Sequence, residues 1–399
     1  MSRPSLTRRA FAALLTGAPV FSQTASESHL GSLYPPVQAI ADASPQELSF
    51  LRPEFTDLSK WQHVAREKLF DLLEYTPAKI APDVQMISRR ERDGFVEEVL
   101  TFRTTPQTRV PAHVLIPSDR KPPFPGIVIL HDHGGFYMWG REKVVSTAPE
   151  HPVLTDFKKR YYSGRSIANE LVKQGYAVIA IDMFYWGERR LLLRDDPAAW
   201  RERPMEMTQQ QISDFNRRSG QSEQLVARSL FTAGVTWPGV MLWDDIRTLD
   251  YLASRPEVDR NRLACVGLSV GGYRSFMLAA LDPRIRAAVD VGWMTTFGAQ
   301  IERHVINSMG LTFTIPGMYR YFDMPDLSAL IAPRALMVLM GSRDLLFPLS
   351  AMKAAFAKIE KCYTKTHSAA KQSCKLFDAP HEFNADMQSL AWEWLKRWV

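Results

Sequence analysis

The apolar residues change their spacing along the chain. Within Trp61–Tyr75, the residues Trp61, Val64, Leu69, Leu72 and Leu73 recur at helical intervals. Short apolar stretches bounded by turn residues follow at Val84–Ser88, Phe95–Arg103 and Ala112–Ile116, a pattern that predicts antiparallel strands. Beyond them, continuous apolar runs at Gly126–Leu130, Ala177–Ile181, Leu263–Leu268, Ala287–Val291 and Ala335–Met340 read as strands buried on both faces. Helical patterns at Ser166–Gln174, Val240–Ser254, Val270–Leu281 and Ala351–Lys361 separate these runs. The last segment, Asn384–Val399, carries Met387, Leu390, Ala391, Trp394, Leu395 and Trp398 on one stripe of a helix. Strand alternating with helix predicts an α/β fold: a mostly parallel central sheet headed by antiparallel N-terminal strands, with helices on both faces. A single domain is expected over residues 56–399, after a Ser- and Pro-containing lead-in, 27–55, read as extended.

Two stretches fall outside this alternation. Thr7-Arg8-Arg9-Ala10-Phe11 opens an apolar run that ends near Phe21. A basic start before a short apolar run is the layout of an export signal, and paired arginines followed by Phe match the twin-arginine type. The run is shorter than the roughly 20 residues of a spanning helix. An export signal over about 1–26, and a periplasmic or secreted protein, are therefore expected. The other stretch, 188–235, is polar, Arg-rich and long, and reads as an insertion that caps a site.

Composition narrows the classes. With 46% hydrophobic and 23% charged residues in 399, the chain is neither disordered, collagen-like nor coiled-coil. The net charge of +6 falls to +3 once Arg3, Arg8 and Arg9 are removed, and no block of like charges marks a nucleic-acid or membrane arm. Three cysteines exclude a disulfide framework. Cys265 lies in an apolar run and reads as buried. Cys362 and Cys374 flank the polar stretch Tyr363–Ser373, which leaves open a disulfide across that loop or two free thiols. No cofactor motif or metal-ligand cysteine spacing is present, so neither cofactor nor metal is expected.

The candidate chemistry centres on Gly267-Leu268-Ser269-Val270-Gly271. An apolar strand precedes this G-x-S-x-G and a helical pattern follows it, the setting of a nucleophile elbow. The turn aims the N-terminus of the following helix at the serine, so the Val270 N–H faces a developing oxyanion. A serine at neutral pH needs a base, and the base needs an orienting group. In the α/β-hydrolases, whose nucleophile elbow this segment resembles, the chain order is Ser, acid, His, which leaves His304, His367 and His381 as candidates. His381 sits in a loop between the strand-like Cys374–Phe377 and the last helix. Asp344 ends the turn after Ala335–Met340 and is the preferred acid, with Asp290 in reserve. A second oxyanion donor is expected in the loop His131-Asp132-His133-Gly134-Gly135, from His133 or Gly134. His131-x-His133 with Asp132 also admits a metal reading, but nothing else in the chain marks further ligands. Asp182 and the adjacent Asp244 and Asp245 read as structural support. Phe136, Tyr137, Trp139, Tyr185, Trp186 and Trp293 read either as sugar-stacking residues or as core, with Phe136, Tyr185, Trp186 and Trp293 taken as the substrate-binding set.

Four segments carry a family resemblance: His131–Lys143 (HDHGGFYMWGREK), Gly187-Glu188-Arg189, Val258–Leu281 and Asp378–Met387 (DAPHEFNADM). Together they resemble the acetyl xylan esterase-like, dienelactone hydrolase-related branch of the α/β-hydrolases, over about residues 55–399. The resemblance implies a triad of Ser269, Asp344 and His381, with backbone donors at Val270 and after the first central strand. True dienelactone hydrolases have a cysteine nucleophile, and Ser269 at that position argues against their substrate. The expectation is a serine esterase acting on a small-molecule or saccharide ester through an acyl-enzyme. A peptidase or amidase on the same fold, or a binding protein without turnover, are the rival readings.

Overall fold

The computed structural model describes residues 27–399, and the expected export signal lies outside the described residues. Nine strands form one mixed sheet among the described residues: β1 (Gln85–Arg92), β2 (Phe95–Thr105), β3 (Thr108–Pro117), β4 (Phe124–Leu130), β5 (Ala177–Ile181), β6 (Val258–Leu268), β7 (Ile285–Val291), β8 (Ala335–Gly341) and β9 (Gln372–Phe377). Their order is β1-β2-β3-β5-β4-β6-β7-β8-β9. The pairs β1–β2, β2–β3 and β3–β5 are antiparallel, and from β5 onward every pair is parallel. The apolar runs within β4 to β8 are almost wholly buried, as strands covered on both faces must be.

The helices follow from their stripes and caps. They are α1 (Tyr34–Asp42), α2 (Leu58–Leu73), α3 (Pro152–Tyr162), α4 (Ile167–Lys173), α5 (Ala198–Glu202), α6 (Gln209–Thr232), α7 (Trp237–Ser254) and α8 (Val270–Leu281), then shorter turns and the long helices Leu349–Lys365 and Ala385–Trp398. In α2 the buried stripe is Trp61, Ala65, Leu69 and Leu73, an i, i+4 series, and the predicted stripe member Val64 is 45% exposed. The lead-in is not extended throughout: α1 occupies part of it. Its prolines lie in the first turn, where an N–H is not required, so they are compatible with a helix. α7 and α8 cover β4, β6 and β7 on one side, while α4 and Ala385–Trp398 pack against β3, β5, β7 and β8. No single described helix is long and apolar enough to cross a membrane. Cys265, Cys362 and Cys374 are all free thiols.

Topology decides where a site can form. The chain leaves β4 for β5 on one side, then returns to the other side of β4 to build β6. At that reversal the carboxyl ends of β4 and β6 lie together, with Leu130 opposite Gly267. An open parallel sheet leaves a crevice at such a switch point.

One buried titratable group on β3 ties stability to pH. His113 accepts the Arg141 Nε–H at Nδ1, 2.9 Å away. Burial and the neighbouring guanidinium push its pKa down to about 3, and Glu142 offsets this only in part. Unfolded, the imidazole titrates near its usual value of about 6.5. Between these values the unfolded chain holds the extra proton, so stability is complete above about pH 6.5 and declines as pH falls through this window. Going from pH 7 to pH 5 should lower the unfolding free energy by about 2 kcal/mol through this group. Urea titrations of wild type and His113→Gln at both pH values check this: the variant should lose less stability than wild type on acidification. Equal losses would remove His113 as the cause.

Candidate active site

Ser269 caps the start of α8 with φ 59° and ψ −122°. A positive φ at a residue with a Cβ costs on the order of 1–3 kcal/mol and persists only where its surroundings enforce it. Here the Ser269 N–H donates to Val291 O at 2.7 Å and its carbonyl accepts from Tyr273 N at 2.9 Å. The flanking glycines are required by a close approach rather than by flexibility. A Cβ on Gly267 would meet Leu130 O at 2.4 Å, and one on Gly271 would meet the same carbonyl at 1.9 Å. As the first helical residue, Val270 has an N–H with no acceptor inside the helix. Ser269 itself is 7% exposed and opens on a cavity.

The expected acid and base, Asp344 and His381, come together from separate loops. Asp344 Oδ2 lies 2.6 Å from His381 Nδ1, while its Oδ1 accepts the Leu346 N–H at 2.9 Å. In the neutral imidazole with Nδ1 donating to the carboxylate, Nε2 carries the lone pair. The His381 loop is pinned from behind. Gln388 in the last helix donates to Phe383 O at 2.6 Å and to Tyr162 O at 2.9 Å, and the Phe383 N–H donates to Tyr161 O at 2.8 Å. The reserve acid is placed elsewhere. Asp290 is fully buried, with its carboxyl against Gly272 in the first turn of α8 and no side-chain partner. Burial pushes it well above the usual carboxylate range, and the Trp293 backbone offsets that only in part.

The loop after β4 carries a dense set of bonds. His131 Nδ1 faces Asp132 O at 2.9 Å and its Nε2 accepts the Met183 N–H at 3.1 Å, which fixes a neutral imidazole. Asp132 Oδ1 accepts the Tyr162 hydroxyl at 2.6 Å, and Oδ2 faces Lys143 Nζ at 3.4 Å. His133 Nδ1 accepts the Gly135 N–H at 3.0 Å, so its Nε2 donates to Glu223 Oε1 at 2.8 Å. The metal reading of His131, Asp132 and His133 therefore fails on geometry, because every side-chain donor atom is already bonded within the protein. Among the described residues no other group of His, Cys, Asp and Glu is arranged to hold a metal ion.

Ser269, Asp344, His381, His133 and Gly134 all line one cavity of about 610 Å³. Its walls also include Arg160, Tyr161, Glu223, Trp293, Phe313 and Phe347. Of the predicted aromatics, Trp293 alone reaches this cavity. Phe136, Tyr137, Trp139, Tyr185 and Trp186 are buried beneath the loop, stacked on one another and on neighbouring rings. Large aromatics near loops suit either a sugar or the core; burial corrects the substrate-binding reading of Phe136, Tyr185 and Trp186 and assigns them to the core.

The insertion folds into α5 and α6 and is tied down by its own arginines. Arg203 pairs with Glu142 at 2.9 Å and Arg218 with Asp196 at 2.8 Å. α6 lies over the loop after β4: Asn216 Oδ1 accepts the Tyr137 N–H at 2.9 Å, and Glu223 accepts from both His133 and the Tyr137 hydroxyl. Glu223 was invisible as a site residue because the insertion's polarity suggested a loop. A usable signal was present in Thr208-x-x-Gln211, a capping box that starts α6. The acidic residues read as support do bear load: Asp245 makes a fully buried bidentate pair with Arg274 of α8, Asp244 pairs with Arg189 at 2.7 Å, and Asp182 pairs with Arg141.

The chain is similar to the proposed hydrolase YtaP of Bacillus subtilis (strain 168), with 27% identity over 303 residues, 76% of this chain and 87% of that protein. Its fold is like that of a proposed acetyl xylan esterase of Bacteroides fragilis NCTC 9343, with a TM-score of 0.66 at 20% identity over 88% of this chain and 84% of the other. A glucuronoyl esterase of Solibacter usitatus has a TM-score of 0.60 at 12% identity, over 88% of this chain and 96% of its own. With its elbow at a sheet switch point and a family match that runs over residues 19–375, the chain belongs to the Abhydrolase family and has the α/β-hydrolase fold.

Proposed function

We propose that this protein is a serine hydrolase that cleaves carboxylic esters through an acyl-enzyme. Ser269 is the nucleophile, His381 the general base and Asp344 its orienting acid. The observation that carries the reading is the 2.6 Å Asp344–His381 bond in the wall of the same cavity onto which Ser269 opens. Ser269 Oγ attacks the ester carbonyl while His381 Nε2 takes its proton, and the Val270 N–H with a donor from His133 or Gly134 binds the oxyanion. His381 returns the proton to the leaving alcohol, and a water activated in the same way releases the acid.

The substrate class is a short acyl group on a saccharide or comparable alcohol. A cavity of about 610 Å³ has the size of a small-molecule site, and an acetyl group fills little of it, which leaves most of the space to the alcohol. The structural relatives, a proposed acetyl xylan esterase and a glucuronoyl esterase, agree with an ester of a carbohydrate. The twin-arginine-like N-terminus supports export to where such polymers are found.

Hydrolysis of p-nitrophenyl acetate and of acetylated sugars is expected, faster than that of the matching anilide. Ser269→Ala should lower kcat by roughly 10⁴–10⁶-fold and abolish labelling by a fluorophosphonate. A faster anilide would favour an amidase, and an unlabelled wild type would leave a binding protein.

The two buried acids are separated by a second experiment. Asp344→Asn should lower kcat by roughly 10⁴-fold through loss of the imidazole tautomer. Asp290→Asn, which resembles the protonated acid, should stay within about threefold of wild type. The reverse ranking of the two kcat values would transfer the acid to Asp290.

A further inference from the structure

Lys143 is an unusual residue to find beneath such a loop. Its side chain is fully buried, next to the loop after β4 rather than in water. Desolvation lowers its pKa, and the Asp132 carboxylate opposes that shift. A methionine would fill the same volume without the cost of burying an ammonium group. The three bonds it makes go to two successive residues: Asp132 O at 2.8 Å, His133 O at 3.0 Å and Asp132 Oδ2 at 3.4 Å. The rings of Phe157 and Phe136, 5.3 and 6.0 Å away, close its other side.

The consequence follows from peptide geometry. In a planar trans peptide the C=O of one residue and the N–H of the next point in opposite directions. Drawing Asp132 O and His133 O inward to one ammonium therefore turns the His133 and Gly134 N–H groups outward. Both residues line the cavity that holds Ser269. Three further groups assist: His131 Nδ1 faces Asp132 O at 2.9 Å, while Trp186 Nε1 and the Phe136 N–H each donate to His133 O at 3.2 Å. Lys143 is the side chain that bonds both carbonyls.

We infer that Lys143 is a positioning residue: it sets the orientation of the two peptide N–H groups that supply the second half of the oxyanion hole. This rests on the esterase reading proposed above. Lys143 does not touch substrate. It acts through the backbone it holds, so its removal should weaken binding of the transition state and leave ground-state binding alone.

The test uses Lys143→Met, with kcat expressed per active site titrated by a fluorophosphonate, so that unfolded molecules do not count. The expected result is a fall in kcat of roughly 10–100-fold with KM within about threefold. The Ki of a trifluoromethyl ketone, which forms an oxyanion on the serine, should rise in proportion. Tyr162→Phe removes a bond to the Asp132 carboxylate but neither peptide bond, and should keep kcat per site within about threefold. If Lys143→Met does not fold, Trp186→Phe removes the other side-chain bond to His133 O and leaves the Phe136 N–H bond in place. It should reproduce the same signature at roughly 3–10-fold. Unchanged kcat per site in the folded variant, or a loss shared equally by KM, would overturn the inference. Loss of turnover in the wild type itself, with no labelling of Ser269, would instead sink the esterase reading on which it stands.

Discussion

The carbonyl of Leu130 at the end of β4 lies against the backbone of Gly267 and Gly271, and the rest of the site is built outward from that contact. Only two strands adjacent in the sheet can bring a strand-end carbonyl that close to the next turn, and the β5-β4-β6 order makes them adjacent. The contact leaves no room for a Cβ at Gly267 or Gly271, two residues before and after Ser269. It therefore fixes the sharp turn that holds the serine at a positive φ and starts α8 directly behind it. The next residue after Leu130 begins the loop that carries His133 and Gly134. The turn at Ser269 and the loop of His133 and Gly134 are thus two sides of one junction, and a change in the sheet order would separate them.

Around that junction the protein spends charge where a simpler core would use hydrocarbon. Asp245 and Arg274 join α7 to α8 in complete burial, Asp182 and Arg141 hold the start of the segment that contains Lys143, and Lys143 gathers two loop carbonyls. Buried pairs of this kind add little net stability against an apolar replacement, because desolvation consumes most of the Coulombic gain. Their directional bonds do something that packing cannot: they choose one peptide orientation over another. The buried aromatics beneath the loop complement them, filling space while Trp186 Nε1 contributes one further directed bond.

The insertion belongs to the same design. α6 reaches over the loop and binds it through Asn216 and Glu223, while most of its other polar residues face solvent. Its arginines, which made the segment look loose, are engaged with Glu142, Asp196 and backbone carbonyls. Wall and loop therefore share their supports, and the cavity is shaped by three parts of the chain that are far apart in sequence.

Much of the fold could be read directly from residue patterns. Strands β4 to β8 stood out because double-sided burial leaves uninterrupted apolar runs, and the elbow because a serine between glycines at a strand–helix junction has few other uses. That Ser269, Asp344 and His381 line one cavity was legible for a related reason: each ends or follows a strand, where a parallel sheet exposes side chains. What the sequence could not decide was every question of contact. Trp186 and Tyr185 are identical in composition whether they stack on a sugar or on each other, and burial settled it. Asp290 and Asp344 both end strands, and the side on which each carboxyl emerges separated them. Glu223, Tyr161 and Phe347 gain meaning only when distant loops close on one cavity. Local propensity is written in neighbouring residues, whereas a site depends on distances between residues that the chain brings together only after folding.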